Sequence, residues 1–268
     1  MAHNGQRWRG LLVSSAALIL LASPASAADD QTPSPIPSTQ GAAAAPANPD
    51  FLLGRPRVLL GVRGNWMMAS AASDVFDFVT DTLTVDKDNF NTGTFGVEMA
   101  VSVTERVDIL AGFDIGQSTT PSEYRDFIDN SGLPIQQTTE FKQNLLTASA
   151  RFSLIPRGRS ISRFAWIPST FVPYVGAGGG VTNYTFKQYG DFVDFADNHV
   201  FSESFNSDGW TPIVQAFGGT DIKVFKRVYV SLEGRYTWAN TDLDQDFIDF
   251  APIDLGGFRF GVGFHFAF

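Results

Sequence analysis

The sequence predicts an all-β fold, an eight-stranded antiparallel up-and-down transmembrane β-barrel. Three observations predict it: an export signal at the start, eight alternating runs after residue 57, and aromatic side chains near the ends of their apolar faces. The composition agrees. Hydrophobic residues make up 44% of the 268 and charged residues only 18%, which suits a packed chain and excludes general disorder. A net charge of -9 argues against nucleic acid as a partner. With no cysteine, disulfide frameworks, thiolate metal sites and thiol nucleophiles are all excluded.

Residues 1–27 read as a signal peptide. Arg7 and Arg9 precede a short apolar core from Leu11 to Ala22, and Ala25-Ser26-Ala27 supplies a small-residue cleavage site. That core is too short to span a bilayer comfortably. Residues 28–56 are rich in Pro and Ala and lack apolar periodicity, so they read as a solvated periplasmic linker. The barrel is assigned to 57–268.

The eight runs share one pattern. In the first, Val58, Leu60, Val62, Trp66 and Met68 oppose Gly61, Arg63 and Asn65. In the second, Phe95, Val97, Met99 and Val101 oppose Gly96, Glu98 and Ala100. The third sets Ile109, Phe113 and Ile115 against Asp108, Gly112 and Asp114, and the fourth sets Leu146, Ala148 and Phe152 against Thr147, Ser149 and Arg151. The fifth alternates Val175, Ala177 and Val181 with Gly176, Gly178 and Gly180. The sixth opposes Val214 and Ala216 to Gln215, Gly219 and Asp221. The seventh places Val230, Leu232 and Tyr236 against Ser231, Glu233 and Arg235. The eighth places Phe258, Phe260, Phe264, Phe266 and Phe268 against Arg259, Gly261, Gly263 and His265.

The faces decide the solvent. A sandwich would bury its apolar faces and wet its polar ones. Here the polar faces are small and glycine-rich, and each run is about the ten residues that cross a bilayer when tilted. The connections alternate as well: 104–106, 156–170 and 225–227 are basic or tight, while 69–92, 118–138, 185–211 and 239–254 are long and acidic.

The segment PYVGAGGGVTNYTF at 173–186, EGRY at 233–236 and GGFRFGVGFHFAF at 256–268 resemble the small outer-membrane β-barrel superfamily of OmpA, OmpX and OmpW. The resemblance covers essentially all of 57–268. It implies the outer membrane of a Gram-negative-type bacterium and surrounding outer-membrane lipid. It also implies an assembly signal in Phe264, Phe266 and Phe268 read by the barrel-assembly machinery. A monomer is expected.

Chemistry-bearing residues are few. The glycines 176, 178, 179 and 180 lack the spacing and the following helix of a dinucleotide fingerprint. No histidine pair has metal spacing, so neither a metal site nor a cofactor is expected. Some eight-stranded outer-membrane barrels modify lipid A with a His, a Ser and an acid at the outer rim. His199, Ser202 and Glu203 offer those residue types, but a polar loop containing a His explains them more simply. No catalytic residue is assigned and no enzyme is expected. The informative set is an interior charge cluster: Arg63, Glu98, Asp114, Glu233 and Arg235 at similar depth, with Arg259 somewhat higher. A narrow barrel plugged by such a belt is favoured over a gated ion path.

Most of the chain's 28 acids fall in the four long segments, where Asp126-Phe127-Ile128-Asp129, Asp191-Phe192-Val193-Asp194 and Asp246-Phe247-Ile248-Asp249 repeat one motif. Acids three apart offer oxygen ligands to a divalent cation at these loops, although no EF-hand loop is present. A hydrated acidic rim is the better reading. The expected function is therefore a non-enzymatic barrel of structural or surface-interaction type. The alternative is an OmpW-like channel for small hydrophobic molecules, ahead of a lipid A-modifying enzyme.

Overall fold

The computed structural model describes residues 51–268 apart from Asn130 and Phe195. The signal segment and most of the linker lie outside the described residues. Eight strands form the body: β1 (Val58–Ala69), β2 (Thr92–Ser102), β3 (Val107–Ile128), β4 (Pro134–Ser153), β5 (Phe171–Asp194), β6 (His199–Lys223), β7 (Val228–Trp238) and β8 (Gly257–Ala267). Each pairs antiparallel with the next, and β8 pairs with β1 to close an up-and-down barrel. Closure leaves no open edge within the ring, as a hydrocarbon surround demands.

The side-chain faces follow the alternation of the sequence. Leu60, Val62, Val97, Phe113, Leu232 and Phe260 point outward and are exposed, whereas Arg63, Glu98, Asp114, Gln215 and Arg235 are buried inside. The eight-strand lumen is only wide enough for side chains to fill it. Its strands therefore alternate bulk with space. Across the ladders Arg63 faces Gly96 and Gly263, Glu98 faces Gly61 and Gly112, and Glu233 faces Gly219 and Gly261.

Strands β3 to β6 are 20 to 25 residues long, well beyond a bilayer crossing. The segments 118–138 and 185–211 are thus largely ladder, continuing past the membrane as two hairpins. Both faces there carry Ser, Thr and Gln, so the lipid-type alternation stops while the strand goes on. The segment 69–92 holds helix α1 (Asp74–Thr82), which the sequence reading did not anticipate. Asp74 and Asp77 in its first turn complement the helix dipole, and Val75, Phe76 and Val79 form one buried face.

The three short connections lie at the opposite end, which faces the periplasm in barrels of this type. Arg157, Arg159, Arg163, Lys226 and Arg227 belong to that end, and the acidic segments to the other. Two details go beyond the sequence reading. Within the longer basic turn, residues 158–168 form a hairpin of Gly158–Ser162 and Ala165–Pro168. Leu52 and Leu53, assigned to the linker, add a third strand to it by pairing with Trp166 and Ala165. Leu52 and Trp166 are both buried, so apolar contact ends the linker earlier than composition suggests.

Candidate functional site

Three polar layers fill the lumen from the short-turn end. In the first, Arg151 lies between two carboxylates, with Nη2 3.1 Å from Asp108 Oδ2 and Nη1 3.5 Å from Asp221 Oδ2. Arg157 folds back from the turn and places its Nη2 2.9 Å and 3.1 Å from the same two oxygens. Burial, reinforced by the neighbouring Arg151, pushes the Arg157 guanidinium below its usual range. Two arginines thus face two acids. The sequence reading placed none of these four in the interior cluster, although three of them stood on the polar faces of their runs.

The second layer unites five of the six residues assigned to the cluster. Arg63 pairs with Glu98 and donates from Nε to Asp114 Oδ1 at 2.8 Å. Arg235 donates from Nη2 to Glu233 Oε1 at 2.7 Å, and the same nitrogen lies 3.6 Å from Glu98 Oε2. Tyr174 adds its hydroxyl to Glu233, and His265 Nε2 stands 3.6 Å from Glu98 Oε1. Arg259 occupies a third layer. Its guanidinium donates to Thr237 Oγ1 at 2.8 Å and Gln143 Oε1 at 2.9 Å, and touches the Met67 sulfur. Neutral partners replace the acid that an ion-pair belt would supply, because strand-neighbouring Arg235 already holds Glu233.

Above Arg259 the lumen turns apolar. The Phe76 ring of α1 is fully buried and meets Phe90, Phe141 and Phe186 edge-to-face, with centroids 4.8, 5.6 and 5.7 Å away. Hydrogen bonds fasten this plug at its base: the Ala251 amide donates to Asp74, the Asp254 amide to Ser73, and the Ser70 hydroxyl to Asp254.

The motif phenylalanines divide between two neighbourhoods. Phe192 and Phe247 are linked through Phe205, whose ring lies 4.6 Å from the first and 6.4 Å from the second. Phe127 packs instead on Tyr124, at 6.0 Å. Between these groups a cavity of about 240 Å³ opens toward the outer end, walled by all four long segments. Two motif acids are spent on backbone amides: Asp129 accepts the amides of Ser131 and Leu133 within its own turn, and Asp246 accepts the Asn206 amide from another segment. Among the described residues, no three His, Asp or Glu side chains converge in a metal-binding group.

The lipid A-type constellation does not assemble. His199 and Ser202 are three apart on extended strand β6, so their side chains point to opposite faces. The Ser202 hydroxyl is held by Asp191, across the ladder from it. Phe264 and Phe266 lie exposed on the outer face of β8, and Phe268, also exposed, follows just past its end.

A closed eight-strand ring, an apolar belt outside and a salt-bridged interior together decide the architecture. The chain folds as a closed eight-stranded transmembrane β-barrel. No protein-family model matches it, and no curated protein is similar to it in sequence. Among solved structures it is similar to OprG from Pseudomonas aeruginosa (14% identity, TM-score 0.47), covering 81% of this chain and 99% of that one. It is similar to Ail of Yersinia pestis (13% identity, TM-score 0.42), covering 80% and 100%. It is also similar to the outer membrane protease OmpT from Escherichia coli (7% identity, TM-score 0.40), covering 79% and 97%.

Proposed function

We propose that this outer-membrane barrel is a non-enzymatic protein of structural or surface-interaction type, working as a monomer with a sealed lumen. The observation that carries this reading is the filling of the lumen. Arg151 fills the first layer, Arg63 and Arg235 share the second and Arg259 fills the third, all of them buried, and the fully buried Phe76 closes the outer end. Removing a partner from any buried pair would strand a charge at several kcal/mol, so such layers hold shape rather than gate. What remains accessible is the outer cap, where recognition would occur. The separation of His199 from Ser202 argues against the lipid A-modifying alternative. The linker would then leave the barrel on the periplasmic side, since Leu52 and Leu53 pair at the short-turn end.

Planar-bilayer recording tests the sealed lumen. The refolded barrel is expected to give no stable open-channel steps. Reproducible ohmic steps of one conductance would overturn the reading.

The aromatic cavity favours a second reading, passage of small hydrophobic molecules. A molecule held there would have to displace the Phe76 plug before reaching the lumen, and that plug is anchored at Ser70, Ser73 and Asp74.

A further inference from the structure

The outer cavity carries more information than its apolar walls. Four segments distant in sequence each bring at least one aromatic ring to it: Phe78 from α1, Tyr124 from β3, Phe192 and Phe205 from the β5–β6 hairpin, and Phe247 and Phe250 from the last connection. The rings line about 240 Å³ of space that is open on one side, and an apolar cavity of roughly 150 Å³ already accepts benzene. The space suits one aromatic ring with a short arm.

The polar part of the lining points to the sign of that arm. Among the described residues lining the cavity, Asp246 is the only charged one, and it is exposed. Gln137 and Gln188 also line it, each with one amide N–H committed, to the Asp191 carbonyl and the Thr139 hydroxyl. The surroundings reinforce this. Only Lys87, Arg125 and Lys187 offset the acids of the four outer segments, and each is engaged. Lys87 pairs with Asp77, Arg125 bonds the carbonyls of Thr80 and Val85, and Lys187 lies over the Tyr189 ring. The outer end therefore presents a negative potential, which attracts cations and repels anions. Aromatic ring faces add their own attraction for an ammonium group.

We propose that this cavity is a binding site for small organic cations, an aromatic ring carrying an alkylammonium arm, with the ring among the phenylalanines and the ammonium toward Asp246. The proposal deepens the surface-interaction reading by naming a ligand class for the outer cap. It survives or fails independently of conductance.

Titration calorimetry on the full barrel in lipid nanodiscs tests it with three water-soluble probes of one shape: phenethylammonium, benzyl alcohol and phenylacetate. The expected result is saturable one-to-one binding of phenethylammonium, with phenylacetate weaker by at least about tenfold. Asp246→Asn, which keeps an oxygen for the Asn206 amide, should lower phenethylammonium affinity by about fivefold and leave benzyl alcohol unchanged. Phe78→Ala, at a half-exposed ring, should weaken both probes without unfolding the cap, and retained heat-modifiability confirms an intact barrel. Equal binding of phenylacetate, no saturable binding, or an Asp246→Asn variant that binds the cation as well as wild type would each overturn the proposal. Silent bilayers together with failed binding would leave the sealed-lumen reading standing and remove this site alone.

Discussion

Arg63 reaches past the intervening strand to grip Asp114, with Nε 2.8 Å from Oδ1 and a second contact from Nη2 to Oδ2. The two residues sit on β1 and β3, and the gap between them is the bare backbone of Gly96 on β2. A two-point guanidinium–carboxylate contact is among the stronger polar interactions, and here both partners are buried. Asp114→Ala should therefore cost about 3–5 kcal/mol, because Arg63 keeps only Glu98 and one face of its charge is stranded. The triple variant Arg63→Met/Glu98→Gln/Asp114→Leu, which removes both acids that Arg63 holds while Arg235 keeps Glu233, should recover most of that loss. Urea unfolding in lipid vesicles, followed by tryptophan fluorescence, measures both. A triple variant as unstable as the single would show that the ion pairs themselves, not the stranded charge, hold the barrel.

Gly96 offers a separate test of the same layer. A Cβ at this position would lie 2.1 Å from Asp114 Oδ1 and 3.0 Å from the Phe113 carbonyl oxygen. The carboxylate would have to swing away from Arg63, since the backbone oxygen blocks the other direction. Gly96→Ala should destabilise the barrel by about 1–3 kcal/mol, the usual range for overpacking. Gly64→Ala, on the lipid side of β1 with open space around it, should cost far less. Equal costs in the same unfolding assay would mean that strand propensity, not room for the ion pair, is what Gly96 supplies.

The barrel was legible in the sequence because lipid imposes one rule on every strand. Wherever a strand crosses hydrocarbon its outer residues must be apolar, so Val97, Met99 and Val101 announce a face and Glu98 its opposite. Beyond the membrane the rule lapses. Residues 134–140 continue β4 in water with Gln and Thr on both faces, and nothing in their order separates strand from loop. Helix α1 escaped for a different reason: its apolar contacts are Val75, Phe76 and Val79, too few to set a period within nine residues. In the interior, alternation identified which residues face inward but not which of them touch. Asp108, Arg151 and Asp221 lie on three different strands, and their meeting depends on ring closure and on Arg157 folding back from a turn. Arg259 lies inside the lumen, and its partners Gln143 and Thr237 are neutral and carry no sign to find them by.

The lipid belt predicts a depth-dependent cost. Val97 is mid-strand on β2 and 45% exposed, with its side chain on the hydrocarbon side. Val97→Arg should destabilise the folded barrel by about 2–4 kcal/mol, as an arginine near the bilayer midplane does. Val103→Arg, at the short turn after the same strand, should cost at most about 1 kcal/mol near the interface. Unfolding in vesicles compares the two. A penalty at Val103 as large as that at Val97 would shift the membrane relative to the strands.

Phe76 separates the stability of the cap from that of the barrel. Its ring is fully buried among Phe90, Phe141 and Phe186, and no strand residue replaces it if it is removed. Phe76→Ala should cost about 3–5 kcal/mol, the range for truncating a buried aromatic side chain. That loss falls on α1 and the connection carrying it, since the ion-pair layers below make their contacts without Phe76. Local opening of the cap should then run far ahead of global unfolding. In the variant, limited proteolysis should cut within 70–91 at protease levels that leave wild type intact, while the heat-modifiable band persists. Conductance should stay silent, because Arg259, Arg235 and Arg151 still fill the lumen beneath. A variant that gains a steady pore would show that the phenylalanine plug, not the arginine layers, seals the barrel. One that loses the folded band would show that cap and barrel unfold as a single unit.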